Sequence, residues 1–320
     1  MKGYWPLEPL TLGGIAALLA VIVLASFALS RTRQRLAAWA LVFAALVAMD
    51  NLTAAAPAGL RMLAICSALL YALKGITGVE ARLAGEASLP PLAWFCYGVF
   101  WPGMLPSLFA TLGAPALPGA GQLMRKGALR LGLGLMLIFA ARGAWELSGS
   151  YLAVSCLLLP GLSLCLHFGL FNLVAGFWRL FGVPCDSLFQ APLLSRHLSE
   201  FWGKRWNLAF TEMTRLTVYQ PLLPAWGKPR AALAGFLFSG SLHELAISVP
   251  VRAGYGLPIS YFVLHGLLLI YERRRYRQGR PIDAHPVLGR IWTVFWLVLP
   301  MPVLFHPPFL AGVVWPIVGL

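Results

Sequence analysis

The residues best able to do chemistry lie between positions 195 and 245. A charged, tryptophan-studded segment, Ser195-Arg-His-Leu-Ser-Glu-Phe-Trp-Gly-Lys-Arg-Trp-Asn207, is followed by an apolar stretch carrying Ser239-Gly-Ser-Leu-His-Glu244. A histidine among apolar neighbours at membrane depth is costly to bury and is a functional hypothesis by default. The plainer alternative is a core histidine satisfied by one hydrogen bond. A neutral imidazole is a competent general base near pH 7. His243 would take the proton of an alcohol as its oxygen attacks an activated acyl carbonyl. Asn207 would give an amide donor to the developing oxyanion, or hold the substrate in line. Ser239 and Ser241 stand near His243 without a Gly-x-Ser-x-Gly elbow, so they make a poor nucleophile signature and read as helix-packing serines. Glu244 projects about 100° from its neighbour on a helix, so it would serve a neighbouring helix or stabilise the fold, with less claim to catalysis than His243.

These residues need a scaffold, and composition says which kind. Hydrophobic residues make up 59% of 320 positions and charged residues 11%, with a mean hydropathy of +0.75. Such a chain is a polytopic membrane protein rather than a soluble domain. Its length accommodates about eight or nine helices of about 20 residues. We read one integral domain over 1–320, with an N-terminal helical bundle at 1–180, a catalytic motif region at 181–280, and a C-terminal helix and tail at 281–320. The formal charge of +14 comes from 25 Lys and Arg against 11 Asp and Glu. Most positives sit in short loops beside apolar runs, as the positive-inside rule produces, so nucleic acid is not implied. The same charges attract anionic lipid headgroups. Cys66, Cys96, Cys156, Cys165 and Cys185 show no CxxC pair and no metal spacing, and read as small buried hydrophobes.

Charge runs set an expected topology. Leu10 to Ala28 is a first crossing rather than a cleaved leader, because it is long enough to span and ends at Arg31-Thr-Arg-Gln-Arg35. Leu36 to Met49 goes out toward Asp50, and Leu60 to Val79 returns toward Lys74 and Arg82. Four prolines between Pro102 and Pro118 predict a broken or re-entrant segment across 90–118. Leu129 to Ala144 goes out, and the long run Tyr151 to Phe181 comes in, tilted or broken at Pro160-Gly161. Residues 186–206 have amphipathic spacing and predict a helix lying on the cytoplasmic interface. Pro221, Pro224 and Pro229 predict a turn, with the helix of His243 starting near Ala231. Gly256 to Ile270 returns to Glu272-Arg-Arg-Arg-Tyr-Arg277, and Val287 to Phe305 is the last clear span. Neither Asp50 nor His167 has an evident partner in the sequence. No tandem or inverted repeat is visible, which weighs against a transporter.

The run Glu200-Phe-Trp-Gly-Lys-Arg-Trp-Asn207, then Tyr219-Gln-Pro221, Ser239-Gly-Ser-Leu-His-Glu-Leu245 and Phe262-Val-Leu-His-Gly266, resembles the wax synthase-like branch of the membrane-bound O-acyltransferases. The resemblance covers about 180–280 closely and the N-terminal half only as a bundle of apolar helices. It implies an all-α polytopic bundle with an intramembrane reaction chamber. It also implies transfer of a fatty acyl group, usually from coenzyme A, to the hydroxyl of a fatty alcohol, sterol or terpenoid. By the resemblance His243 is the catalytic histidine and Asn207 its paired polar residue. In the alginate and teichoic-acid branches a histidine follows the second tryptophan, so Asn207 favours the wax synthase-like branch.

The resulting expectation is a membrane acyltransferase with His243 and Asn207 in catalysis and with Trp202, Lys204, Arg205, Trp206, Ser239 and His265 lining or binding substrate. Lys204, Arg205 and the arginines at 273–277 would meet the phosphates of acyl-CoA, the co-substrate; no bound cofactor and no metal are expected. The partners are an acyl donor, a hydrophobic alcohol and membrane lipids. The competing classes are a lipid transporter or scaffold, or an acyltransferase with a carrier-protein donor or a polysaccharide acceptor. Arginine dominance over lysine and abundant alanine point to a bacterial inner membrane, or to the endoplasmic reticulum for a eukaryotic chain.

Overall fold

A computed structural model describes residues 4–5 and 9–320, and its regular elements are all helical among the described residues. Seven helical stretches there are long and apolar enough to cross a membrane. The chain is an integral, multi-pass membrane protein. It forms two compact units, residues 1–187 with 310–320, and residues 188–309.

The first unit contains α1 (Pro9–Ser30), α2 (Arg35–Leu52), α3 (Ala58–Leu83), α4 (Pro91–Phe100), α5 (Ala120–Ser148) and α6 (Tyr151–Leu180). The first three pack as an antiparallel set, pinned at both ends by ion pairs. Arg35 at the head of α2 meets Glu80 near the foot of α3 at 2.5 and 2.6 Å, and Asp50 at the foot of α2 meets Arg61 at the head of α3 at 2.5 Å. Asp50, without an evident partner in the sequence, thus closes the opposite end of the set. Small residues let these helices approach where no hydrophobic force drives them together in lipid. A Cβ on Gly78 would overlap Ser30 of α1, and one on Gly134 of α5 would overlap Gly161 and Cys165 of α6.

Two sequence expectations for this unit are refined. The irregularity in α6 is a π-helical run at Leu164–Leu170, just beyond Pro160, rather than a break at Pro160-Gly161. Within it, His167 Nδ1 lies 3.1 Å from Ser163 Oγ, the partner that the sequence did not disclose.

Lys74 is a correction. The positive-inside reading placed it at a cytoplasmic end, but it is fully buried within α3. Its ammonium donates to Trp101 O at 2.8 Å and to Gly103 O, and sits 3.9 Å from the centre of the Tyr97 ring. The cause lies in α4, whose ten residues rise only about 15 Å and then stop short of a crossing. The extended chain that follows a helix ending inside protein leaves carbonyls unpaired, and Lys74 donates to those of Trp101 and Gly103. The interruption expected across 90–118 is therefore present, and a buried cation holds its backbone.

The second unit contains α7 (Leu208–Val251), α8 (Leu257–Arg277) and α9 (Pro286–Leu304). α8 is an eighth long helix, 21 residues ending in the arginine cluster. Segment 186–206 is not the expected amphipathic helix. It is irregular up to His197, apart from a short 3-10 turn at Pro192–Leu194. One α-turn at Leu198–Glu200 then widens into a π-turn at Phe201–Arg205. Pro192 and the left-handed Ala191, at φ 46°, prevent helical continuation despite the apolar spacing.

The proline-rich turn is also smaller than expected. Residues 220–226 are helical, and the single non-helical residue is Gly227, at φ 69° and ψ 167°. The carbonyl against which Pro221 would clash belongs to Thr217, which lies inside a π-run at Arg215–Tyr219. After Gly227 the helix continues unbroken from Lys228 to His243. α8 packs on this half at two glycines: Gly240 faces Ile259 and Phe262, and Gly266 faces Leu233 and Phe236.

Candidate active site

His243 closes the last regular α-turn of α7 before a π-turn at Glu244–Ser248. Its Nδ1 lies 2.7 Å from the carbonyl oxygen of Ser239. A carbonyl can only accept, so Nδ1 carries a proton, and in the neutral imidazole the lone pair falls on Nε2. The ring is half-buried and packs at 4.2 Å from the ring of Phe262 on α8. The tautomer of the neutral ring and its orientation are thus set by the helix itself.

Glu244 fixes how α7 meets α8. Its Oε1 accepts from Gly256 N at 2.8 Å and Ile259 N at 3.2 Å, so one carboxylate satisfies the first N–H groups of α8. The sequence pointed this side chain toward a neighbouring helix, and that is where it goes.

Phe262 links His243 to the tryptophan-rich run, since Trp202 also packs on it, at 5.5 Å. The Trp202 indole donates to His265 Nδ1 at 3.0 Å. His265 is therefore the opposite tautomer from His243, with its lone pair already engaged. It is fully buried, between Trp202 and the Tyr261 ring at 4.4 Å.

Asn207 stands at the head of α7. It adopts φ 44° and ψ 62°, a left-handed conformation that asparagine tolerates better than most residues, and its Oδ1 accepts from Phe210 N at 3.4 Å. The hydrogen bonds of Asn207 and His243 run to different partners, and the Asn207 amide N–H2 group donates to none of the described residues. Thr211 Oγ1 ties the turn together through Trp202 O at 2.8 Å.

The remaining expected residues divide by what already holds them. Arg205 reaches Glu200 at 2.7 Å and the carbonyls of Gln190 and Ala191, which commits it to closing the irregular loop before it. Burial would raise the Glu200 carboxyl, but the Arg196 N–H and the Arg205 guanidinium outweigh it and hold Glu200 below the usual carboxylate range. Trp206 stacks on Phe201 at 5.4 Å. Lys204 is exposed, and Ser239 enters through its carbonyl rather than its hydroxyl.

Glu272 and the arginines after it, visible in the sequence as a helical face and a charge run, form a structural hub and part of a cleft. Glu272 accepts from Leu198 N at 2.8 Å, Ser199 N at 3.2 Å and the Trp292 indole at 2.9 Å, joining three segments of this unit. Glu272 shares a helical face with His265 by its spacing, and the structure gives both a donor from the 198–202 turn. Glu272 itself lines a cleft of about 530 Å³, with the cations Lys228, Arg273 and Arg277, with Tyr219 and Tyr276, and with a second carboxylate, Asp283.

Comparison with known proteins places this unit in context. Residues 185–264 match the membrane bound O-acyl transferase family. Over 143 residues, 42% of this chain and 41% of the relative, the chain is 33% identical to probable long-chain-alcohol O-fatty-acyltransferase 2 of Arabidopsis thaliana. It is 33% identical over 136 residues to the long-chain-alcohol O-fatty-acyltransferase of Simmondsia chinensis, covering 37% of this chain and 39% of that one. Against acyl-CoA–sterol O-acyltransferase 1 of Arabidopsis thaliana, identity is 42% over 128 residues, 35% of this chain and 37% of the relative. The chain thus spans about two fifths of the length of the relatives it matches. The wax synthase-like resemblance stated from the motifs is borne out over this segment.

Proposed function

For a chain whose motif region belongs with the wax synthase-like membrane-bound O-acyltransferases, we propose transfer of an acyl group from acyl-CoA to the hydroxyl of a hydrophobic alcohol. The observation that carries this reading is the tautomer of His243: the Ser239 carbonyl holds the Nδ1 proton, leaving the Nε2 lone pair for the acceptor alcohol. The alcohol gives its proton to Nε2 as its oxygen forms a bond to the thioester carbon. Collapse of the tetrahedral intermediate breaks the carbon–sulfur bond, and the departing thiolate takes the proton back from the imidazolium. Attack is direct, in a ternary complex, and no acyl-enzyme forms. Asn207 donates its amide N–H to the developing oxyanion.

The donor's charged end is assigned to the cleft of Lys228, Arg273 and Arg277, where phosphates meet three cations and a base meets Tyr219 or Tyr276. Lys228 and His243 are 15 positions apart on an unbroken helix, a rise of about 22 Å, which suits an extended thioester arm. The alcohols and sterol named for the relatives are the acceptor classes to try first. The experiment is mass spectrometry of lipids made by purified protein given a fatty acyl-CoA and a mixture of long-chain alcohols, sterols and terpenoid alcohols, with His243→Ala alongside. Ester from the wild type alone supports the assignment, and ester from the folded variant overturns it.

A further inference from the structure

The rings of His243 and Phe262 have centres 4.2 Å apart and planes 38° from parallel. Rings that meet by their edges are held about 5 Å or more apart by their hydrogens, so at this separation the two faces overlap. Gly240 and Trp202 create the contact. Gly240 lies three positions before His243, on the same side of α7. A Cβ on it would come within 2.9 Å of the Ile259 backbone and 3.3 Å of Phe262 Cβ, so the missing side chain is what lets α8 approach until Phe262 lies against the imidazole. Trp202 packs on Phe262 at 5.5 Å, and its indole is itself fixed by donating to His265 Nδ1 at 3.0 Å.

Phe262 is 2% exposed, so an acceptor alcohol does not reach it and its contribution passes through His243. The Ser239 carbonyl holds the imidazole at one nitrogen, and the Phe262 face restrains the plane of the ring. During transfer the acceptor O–H bond breaks as its oxygen bonds to the thioester carbon, and the proton goes to Nε2; it leaves again on the departing thiolate. Between those two events the imidazole is a cation. The face of a phenyl ring carries negative potential, and it attracts a cation within about 6 Å of its centre, most strongly where water is excluded. A neutral imidazole gains little from that potential. The contact therefore strengthens as the proton arrives, and an interaction stronger in the transition state than in the ground state lowers the barrier.

We propose that Phe262 is a positioning residue for acyl transfer, whose ring face holds the His243 imidazole in plane and stabilises the imidazolium formed when the acceptor alcohol gives up its proton. The role rests on acyl transfer being the reaction of this chain.

The test is steady-state acyl transfer by the purified full chain, with a fatty acyl-CoA and a long-chain alcohol, after Phe262 is replaced through a suppressed codon by 4-fluoro-, 3,5-difluoro- and 3,4,5-trifluorophenylalanine. Each added fluorine drains negative potential from the face and leaves the shape of the ring nearly unchanged. The value of kcat should fall at every step, to about tenfold below wild type at three fluorines, while KM for both substrates and thermal unfolding in detergent stay at their wild-type values. Phenylalanine supplied to the same codon should restore kcat. Phe262→Leu keeps an apolar side chain without a π face and should lose about tenfold in kcat as well; if it fails to fold, the fluorinated series still decides. A flat kcat across that series, or a loss that falls on KM instead, would overturn the role of Phe262 alone. No ester from the wild type would overturn the acyl-transfer reading and this role with it, so the unsubstituted protein tells the two failures apart.

Discussion

Lys74 and His243 are both basic side chains set into long apolar helices, one in each compact unit, and their surroundings treat them oppositely. The Lys74 ammonium is consumed: two carbonyls beyond a prematurely ended helix and the face of Tyr97 take its donors. At His243 the protein takes one ring nitrogen and leaves the other. Burial alone does not distinguish a side chain whose polar atoms are all engaged from one that keeps an atom open. What distinguishes them is whether the neighbours use every atom capable of bonding.

His243→Ala is the strongest test of that contrast. It should lower acyl transfer about 10²- to 10⁴-fold, the range of a lost general base, while thermal unfolding in detergent stays close to wild type. Loss of fold instead would move His243 to the side of Lys74. Asn207→Gly comes next, because glycine keeps the left-handed backbone and removes the amide, giving up only the long cap bond from Phe210 N. If that amide stabilises the oxyanion, kcat should fall by the equivalent of about 2.7 to 4 kcal/mol; an unchanged kcat would reduce Asn207 to a helix cap. Lys74→Met should behave in the reverse manner. Stability should drop by about 2 to 3 kcal/mol as two buried carbonyls lose their donor, with turnover per folded molecule preserved. The smallest effect is expected for Trp202→Phe, which strips His265 of its donor and should cost about 1 kcal/mol in unfolding experiments. A large rise in KM from this variant, without loss of stability, would instead make Trp202 a substrate contact.

The sequence made part of this contrast readable. His243 and Asn207 stood out because a histidine in an apolar run and a tryptophan-rich segment ending in asparagine are rare patterns, and the arginines after Ile270 marked the charged end of α8. The fate of Lys74 was hidden. The positive-inside rule counts cations near helix ends, but only the early stop of α4 creates the carbonyls that draw this one inward. Segment 186–206 misled for a related reason. Apolar residues at helical spacing also arise when an irregular chain folds its aromatic rings onto a core, and the backbone at Ala191 and Pro192 decided the outcome. The cleft of Lys228, Arg273 and Arg277 was half visible, since its arginines are a contiguous run whereas Lys228 and Tyr219 arrive from a different helix.

Under the proposed mechanism, Glu244 bears on catalysis without touching a substrate. Neighbouring positions on an α-helix differ by about 100° in heading, so any rotation of α7 about its axis would swing the His243 ring off target. With the next residue's carboxylate bonded to Gly256 N and Ile259 N, such a rotation would have to tear the cap from α8. The pair works as a key in a keyway: the shaft that carries the histidine is indexed to its neighbour, and the aim of Nε2 becomes a property of the helix pair rather than of one side chain.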